Sequence, residues 1–167
     1  MFAKGNIRLG LGFAALLLIL DQLSKWYMLN VYDLPAKYSV EILPFLNFTM
    51  VWNEGISMGF FSDGGDTGRW ILVGLTSIVV IFLLRWLSQG TTKPVAYALG
   101  AVIGGAVGNI IDRVVHGAVA DFIHMHAFNS SFYVFNVADA GISLGVIILL
   151  IDGLKSENKS PTRETHD

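Results

Sequence analysis

Two aspartates in this chain sit where an apolar sequence tolerates a charge poorly. Asp139 lies inside VFNVADAGISLGVIILLI (134–151), and Asp121 lies in VADFI, just ahead of an aromatic-rich stretch that leads into that run. A carboxylate at membrane depth costs roughly 2.5–3.5 kcal/mol on insertion scales, so such a residue is a functional candidate by default. Two carboxylates brought together at a membrane surface have a specific chemistry. They cannot both ionise easily, so one keeps a proton while the other acts as a base. That pairing can activate water against an amide carbonyl and later protonate the departing amine.

Further polar groups recur at helical spacing near the same level. Asp21 and Lys25 are i,i+4; Asn109 lies three before Asp112 and four before Arg113; Asn136 lies three before Asp139. Asp21–Lys25 and Asp112–Arg113 also read as ion pairs at helix ends. Asp139 has no basic residue within four positions, which removes that reading for it.

The elements that must position these groups follow from composition. Of 167 residues, 53% are hydrophobic and only 14% charged, with a mean hydropathy of +0.58. A soluble domain carries roughly 25% charged residues. Cysteine is absent, which excludes disulfides, thiolate nucleophiles and cysteine metal sites. The expected architecture is an all-α membrane bundle of four transmembrane helices with a small β-sheet or cradle on the outer, periplasmic side. Residues 1–155 form one domain with spans at about 9–28, 69–87, 94–112 and 134–152, and 156–167 form a disordered cytoplasmic tail.

The first span opens with Lys4 and Arg8 before a short apolar core, like a signal peptide. No small-x-small cleavage site follows in DQLSKWYM, so it reads as a retained anchor. Lys4, Arg8, Arg85, Lys93, Lys155, Lys159 and Arg163, seven of the eleven basic residues, fall on one side. The positive-inside rule makes that side cytoplasmic, with both termini on it and the connections 29–68 and 112–133 outside. In the first connection, Leu46, Phe48, Met50 and Trp52 alternate with Asn47, Thr49 and Val51, the pattern of a strand with one apolar face. With the turn residues of 61–68 it is expected to form a lid or cradle in which Trp52 meets substrate or lipid. Gly100, Gly104 and Gly108, and Gly141 and Gly145, recur every four residues as close-packing faces.

The ordered set DQLSK (21–25), NEGISMGF (53–60), GGAVGNIIDR (104–113), VADFI (119–123) and FNVADA (135–140) closely resembles the bacterial lipoprotein signal peptidases, or signal peptidase II, over roughly 15–150. The resemblance implies an aspartic endopeptidase of the inner membrane that removes the signal peptide of diacylglyceryl-modified prolipoproteins, cutting just before the lipidated cysteine. It maps the catalytic pair to Asp121 and Asp139. It assigns Asn53, Gly55, Asn109, Arg113 and Asn136 to substrate binding or support of the site, with Asp21, Lys25 and Asp112 as structural polar residues. It calls for no metal or other cofactor and no nucleic acid. The partners are prolipoprotein substrates and membrane lipids, and a monomer is the expected form. Met58 and Ala140 depart from the family's usual aromatic and serine.

Other chemistries have some footing. His116, His124 and His126 near Asp121 offer metal ligands. Asp139 alone could serve as the relay of a small proton-coupled carrier, although no internal repeat supports one. Ser57 or Ser143 could act as a nucleophile, but no G-x-S-x-G or Ser-x-x-Lys pattern accompanies either.

Overall fold

The computed structural model describes residues 5–55, 65–127 and 130–157. Helix α1 spans Gly5–Asn30, the single-turn α2 spans Leu34–Lys37, α3 spans Gly65–Ser88, α4 spans Lys93–His116 and α5 spans Val137–Glu157. Strands β1 (Ser39–Leu43) and β2 (Leu46–Asn53) separate α2 from α3, and β3 (Val119–Ala127) and β4 (Ser130–Phe135) separate α4 from α5. Among the described residues, four helices are long and apolar enough to cross a membrane: Asn6–Asn30, Asp66–Ser88, Lys93–His116 and Val137–Lys155. At 1.5 Å per residue, the 26 residues of α1 exceed a hydrocarbon core of roughly 30 Å.

Helix α4 is the centre of the bundle, buried where the other three mostly face outward. Its small residues allow this. A Cβ on Gly100 or Gly104 would strike the backbone of Gly10 or Ala14 in α1, and one on Gly105 would lie 2.6 Å from the Ala138 carbonyl of α5. Backbones can approach this closely only where side chains are absent. Around these seams Val80, Leu83 and Leu87 of α3 pack on Val95, Leu99, Val102 and Ile103 of α4. Pro94 sits in the first turn of α4, where its missing N–H is tolerated. Gly117 ends the helix in a left-handed conformation (φ 86°), its N–H donating to Arg113 O at 3.1 Å.

Beside the helices lies a four-stranded antiparallel sheet in the order β1-β2-β3-β4, made from the connection between α1 and α3 and the connection between α4 and α5. The alternation over 46–52 does form a strand, and Phe48 and Met50 pack with Met28, Leu34 and Phe122. Trp52 does not join them. The β2–β3 register shifts between Phe48 and Val51, and Trp52 stays exposed with its ring 5.6 Å from that of His116.

Several helix boundaries differ from the sequence reading. The last helix begins at Val137, because Val134 and Phe135, the first residues of the apolar run, belong to strand β4. The third helix continues past residue 112 to His116. Residues 156 and 157 of the expected tail are still helical, and residues 158–167 lie outside those described. Met58, the candidate nucleophile Ser57 and Gly64 of the expected lid also lie outside them.

Candidate active site

Asn136 joins the sheet to α5 and organises the site. Its side-chain Oδ1 accepts the backbone N–H of Asp139 at 2.9 Å, while its own backbone N–H donates to Asp139 Oδ2 at 3.3 Å. These reciprocal bonds form a capping box, which satisfies helix N–H groups and holds the Asp139 carboxylate against the first turn. The partial positive charge of the helix start favours an anion there. The other end of the same side chain reaches β3, where Asn136 Nδ2 donates to Asp121 Oδ1 at 2.6 Å. One fully buried asparagine therefore touches both acids.

Each carboxylate has a second amide donor. Asn53, at the end of β2, donates from Nδ2 to Asp121 Oδ2 at 2.9 Å, and Asn109 of α4 donates from Nδ2 to Asp139 Oδ1 at 2.8 Å. Asn53 is oriented by the Gly55 N–H, which donates to its Oδ1 at 2.9 Å, and its Nδ2 also donates to the Tyr133 hydroxyl at 2.8 Å. Gly55 is a requirement of place as well as of conformation. Its φ is +84°, and a Cβ would lie 2.5 Å from Leu72 Cδ1 and 3.1 Å from Arg113 Nη2. Arg113 lies within electrostatic reach of Asp121, Asp139 and Asp112. Its Nη1 donates to Asn109 O at 3.4 Å, and its buried Nε has no partner among the described residues.

Asp121 is completely buried, whereas Asp139 is half-buried and lines a cavity of about 490 Å³ with Asn53, Tyr133, Phe135, Ala140 and Ser143. Burial pushes the Asp121 carboxyl up to about 6. The hydrogen bonds from Asn53 and Asn136 and the charge of Lys25 oppose that shift, and the charge of Asp139 adds to it. The folded state therefore holds this proton more tightly than the unfolded chain does. The group's contribution to stability falls as pH rises from about 4 to about 6. A ¹³C-carboxyl titration of the free protein is expected to find Asp121 near 6. In Asp139→Asn the value moves down, because a like charge is gone; a midpoint near the ordinary carboxylate value in the unsubstituted protein would contradict this environment.

The sequence-predicted residues Asn53, Gly55, Asn109, Arg113, Asp121, Asn136 and Asp139 thus come together. Asp21, Lys25 and Asp112 form a buried group below them. Here one expected pairing is corrected: Asp112 pairs with Lys25 at 2.9 Å, not with the neighbouring Arg113, because adjacent helix positions point apart. Trp52, expected to meet substrate or lipid, stands apart from the acid pair. It lines a separate cavity of about 430 Å³ with Glu54, Arg69 and His116, away from Asp139. Of the histidines of the metal reading, His116 ends α4, whereas His124 and His126 lie in β3, where His124 Nδ1 meets Thr49 Oγ1 at 3.3 Å and His126 Nε2 meets Asn47 Oδ1 at 3.1 Å. Sequence reasoning missed Tyr133 and Gln22. Gln22 adjoins the DQLSK block but carries no charge to mark it. Tyr133 precedes FNVADA by two residues, an offset that gave no helical or metal-ligand signal.

Four membrane-length helices carrying a closed carboxylate–carboxamide network up to a cavity beneath a sheet define a multi-pass membrane protein with a polar site at one end of its bundle. Residues 13–155 match the family Signal peptidase (SPase) II, and the chain belongs to that family of peptidases. A lipoprotein signal peptidase of Methylobacterium sp. (strain 4-46) is 46% identical over 149 residues, covering 89% of this chain and 90% of that protein. One from Beijerinckia indica subsp. indica is 45% identical over 159 residues, covering 93% and 95%. Two solved bacterial membrane enzyme structures superpose on the fold. One has a TM-score of 0.79 at 30% identity, covering 99% of each chain, and the other 0.76 at 31% identity, covering 87% of this chain and 92% of that one.

Proposed function

We propose that this peptidase removes the signal peptide from diacylglyceryl-modified prolipoproteins by aspartic catalysis, cutting just before the lipidated cysteine. The observation that carries the reading is the pair of bonds by which the Asn136 side chain holds the Asp121 carboxylate and the Asp139 backbone beside an open cavity. A family of lipoprotein signal peptidases supplies the substrate class.

The chemistry follows from the acid pair. With one carboxyl protonated and one ionised, the ionised group takes a proton from water as the water oxygen attacks the scissile carbonyl. The protonated group donates to the carbonyl oxygen as charge develops there. As the C–N bond breaks, a proton passes to the departing amine. The two carboxyls titrate as a unit, so the roles belong to the pair. Asn53, Asn109 and Asn136 hold the carboxylates in place with fixed donors, and Arg113 brings positive charge to the developing anion. A mostly apolar cavity that opens beside half-buried Asp139 suits a substrate whose acyl chains stay in lipid. Purified enzyme in detergent should release a product whose first residue is the lipidated cysteine, with the rate unchanged by EDTA. A product starting elsewhere, or full loss with EDTA, would refute the reading.

We place the site at the outer face of a bacterial inner membrane, with both termini in the cytoplasm, from the skew of basic residues. Reporter fusions after Gly90, between α3 and α4, and after Gly64, ahead of α3, should report cytoplasmic and periplasmic sides respectively. Two fusions reporting one side would break this topology.

A further inference from the structure

Below the acid pair lies a second charged cluster that the proposed chemistry does not use. Lys25 Nζ lies 2.8 Å from Asp21 Oδ2 and 2.9 Å from Asp112 Oδ2, and donates to Asn109 Oδ1 at 3.1 Å. Gln22 Nε2 adds bonds to Asp21 Oδ2 at 3.2 Å and Asp112 Oδ1 at 3.1 Å. Asp21, Lys25 and Asp112 are 0, 3 and 2% exposed. A buried ion cluster is weak evidence for stability, because desolvation consumes most of the attraction. Its geometry points to a different role.

Each acid also grips one backbone amide from another element. Asp21 Oδ1 accepts the N–H of Ala138, and Asp112 Oδ2 accepts the N–H of Ala120, at 2.9 and 3.1 Å. Ala138 immediately precedes Asp139, and Ala120 immediately precedes Asp121. One lysine ties the two grips together and, through Asn109, reaches the side chain of Asp139 as well. Space for the cluster is built in: a Cβ on Gly108 would lie 2.5 Å from Asp21 Oδ2.

We propose that Asp21, Lys25 and Asp112 are positioning residues, a charged brace that sets the separation of Asp121 and Asp139 by fixing the backbone amide just before each. The proposal rests on the aspartic reading above. The brace spans four elements, α1, α4, the β3 start and the α5 start, and so ties together segments far apart in the chain. Misplacement of catalytic groups by about 1 Å is enough to cost about 10²-fold in rate.

The test compares Asp21→Val and Asp112→Val, which remove the acceptor, with Asp21→Asn and Asp112→Asn, which keep a carbonyl oxygen for the amide. All are assayed as full chain in detergent on a diacylglyceryl-modified precursor, with kcat normalised to folded enzyme. The valine variants should lose about 30- to 100-fold in kcat with KM within about threefold, and the asparagine variants should regain at least about tenfold of that loss. A merely structural role would lower thermal stability and leave kcat per folded molecule unchanged. Should the valine variants fail to fold, Gly108→Ala displaces Asp21 without altering any charge, and the same kcat-selective loss is expected. Valine variants, or Gly108→Ala, with kcat within twofold of the unsubstituted enzyme would overturn the brace, as would asparagine variants no better than valine. Asp121→Asn and Asp139→Asn in the same assay separate the two readings. Turnover by either would remove the acid pair and the brace with it, whereas their loss beside unimpaired brace variants would remove the brace alone.

Discussion

Asparagine in place of Asp121 or Asp139 is expected to reduce turnover of a lipidated precursor by about 10³-fold or more while leaving the protein folded. The side-chain volume hardly changes, but a carboxamide neither takes a proton from water nor shares one with a neighbouring acid. Each carboxylate accepts two hydrogen bonds, Asp121 from Asn53 and Asn136, Asp139 from Asn109 and the Asn136 backbone. A carboxamide can satisfy one donor and must present its NH₂ to the other. The stability penalty is then one lost bond and one unpaired donor, about 1–3 kcal/mol, far less than the penalty on the reaction. Because the two acids act as a unit, the double variant should be hardly worse than either single one. The measurement is precursor cleavage by the purified variants beside their melting temperatures. Substantial cleavage by Asp139→Asn would end the aspartic mechanism.

How much of this was readable before the fold was known depends on how local each signal is. The spans, the glycine seams and the residues around the acids were legible, because a membrane helix and a close-packed face write themselves into a single segment. The residues of the site were likewise legible, but as types and spacings, not as contacts. The sheet was legible only at β2, where alternation is clean. Strand β3 pairs with residues some seventy positions earlier, so its register is a tertiary fact, and its acid and histidines read as loop. The start of α5 was misplaced because 134–151 is uniformly apolar, and such a run does not reveal where a strand becomes a helix. The Asn136–Asp139 spacing did carry that boundary as a capping box, a signal that shares its residues with the site. Trp52 shows the converse. Its alternation was right, and a shift in the β2–β3 register turned it away from the buried face.

Lys25→Met should be strongly destabilising. The lysine is the cation shared by Asp21 and Asp112, at 2.8 and 2.9 Å, and all three side chains are buried. Methionine matches its length and packs well, so the effect isolates charge from volume. Removing one partner of a buried ion pair costs about 3–5 kcal/mol, because the remaining charge has lost both water and its counterion. Here two carboxylates are left facing each other, joined only by Gln22. A drop in melting temperature of about 10 °C in detergent is expected, given roughly 2–4 °C per kcal/mol for a chain of this size. The compensating experiment sharpens the claim. In the triple variant Asp21→Asn/Lys25→Met/Asp112→Asn no uncompensated charge is buried, and each carboxamide oxygen can still accept from Ala138 or Ala120. Most of the lost stability should return, as it does when a whole buried ion cluster is neutralised in place of half of it. If Lys25→Met melts within about 2 °C of the unsubstituted protein, or the triple variant is less stable than the single one, the cluster is not held together by its charge, and the positioning role built on it falls too.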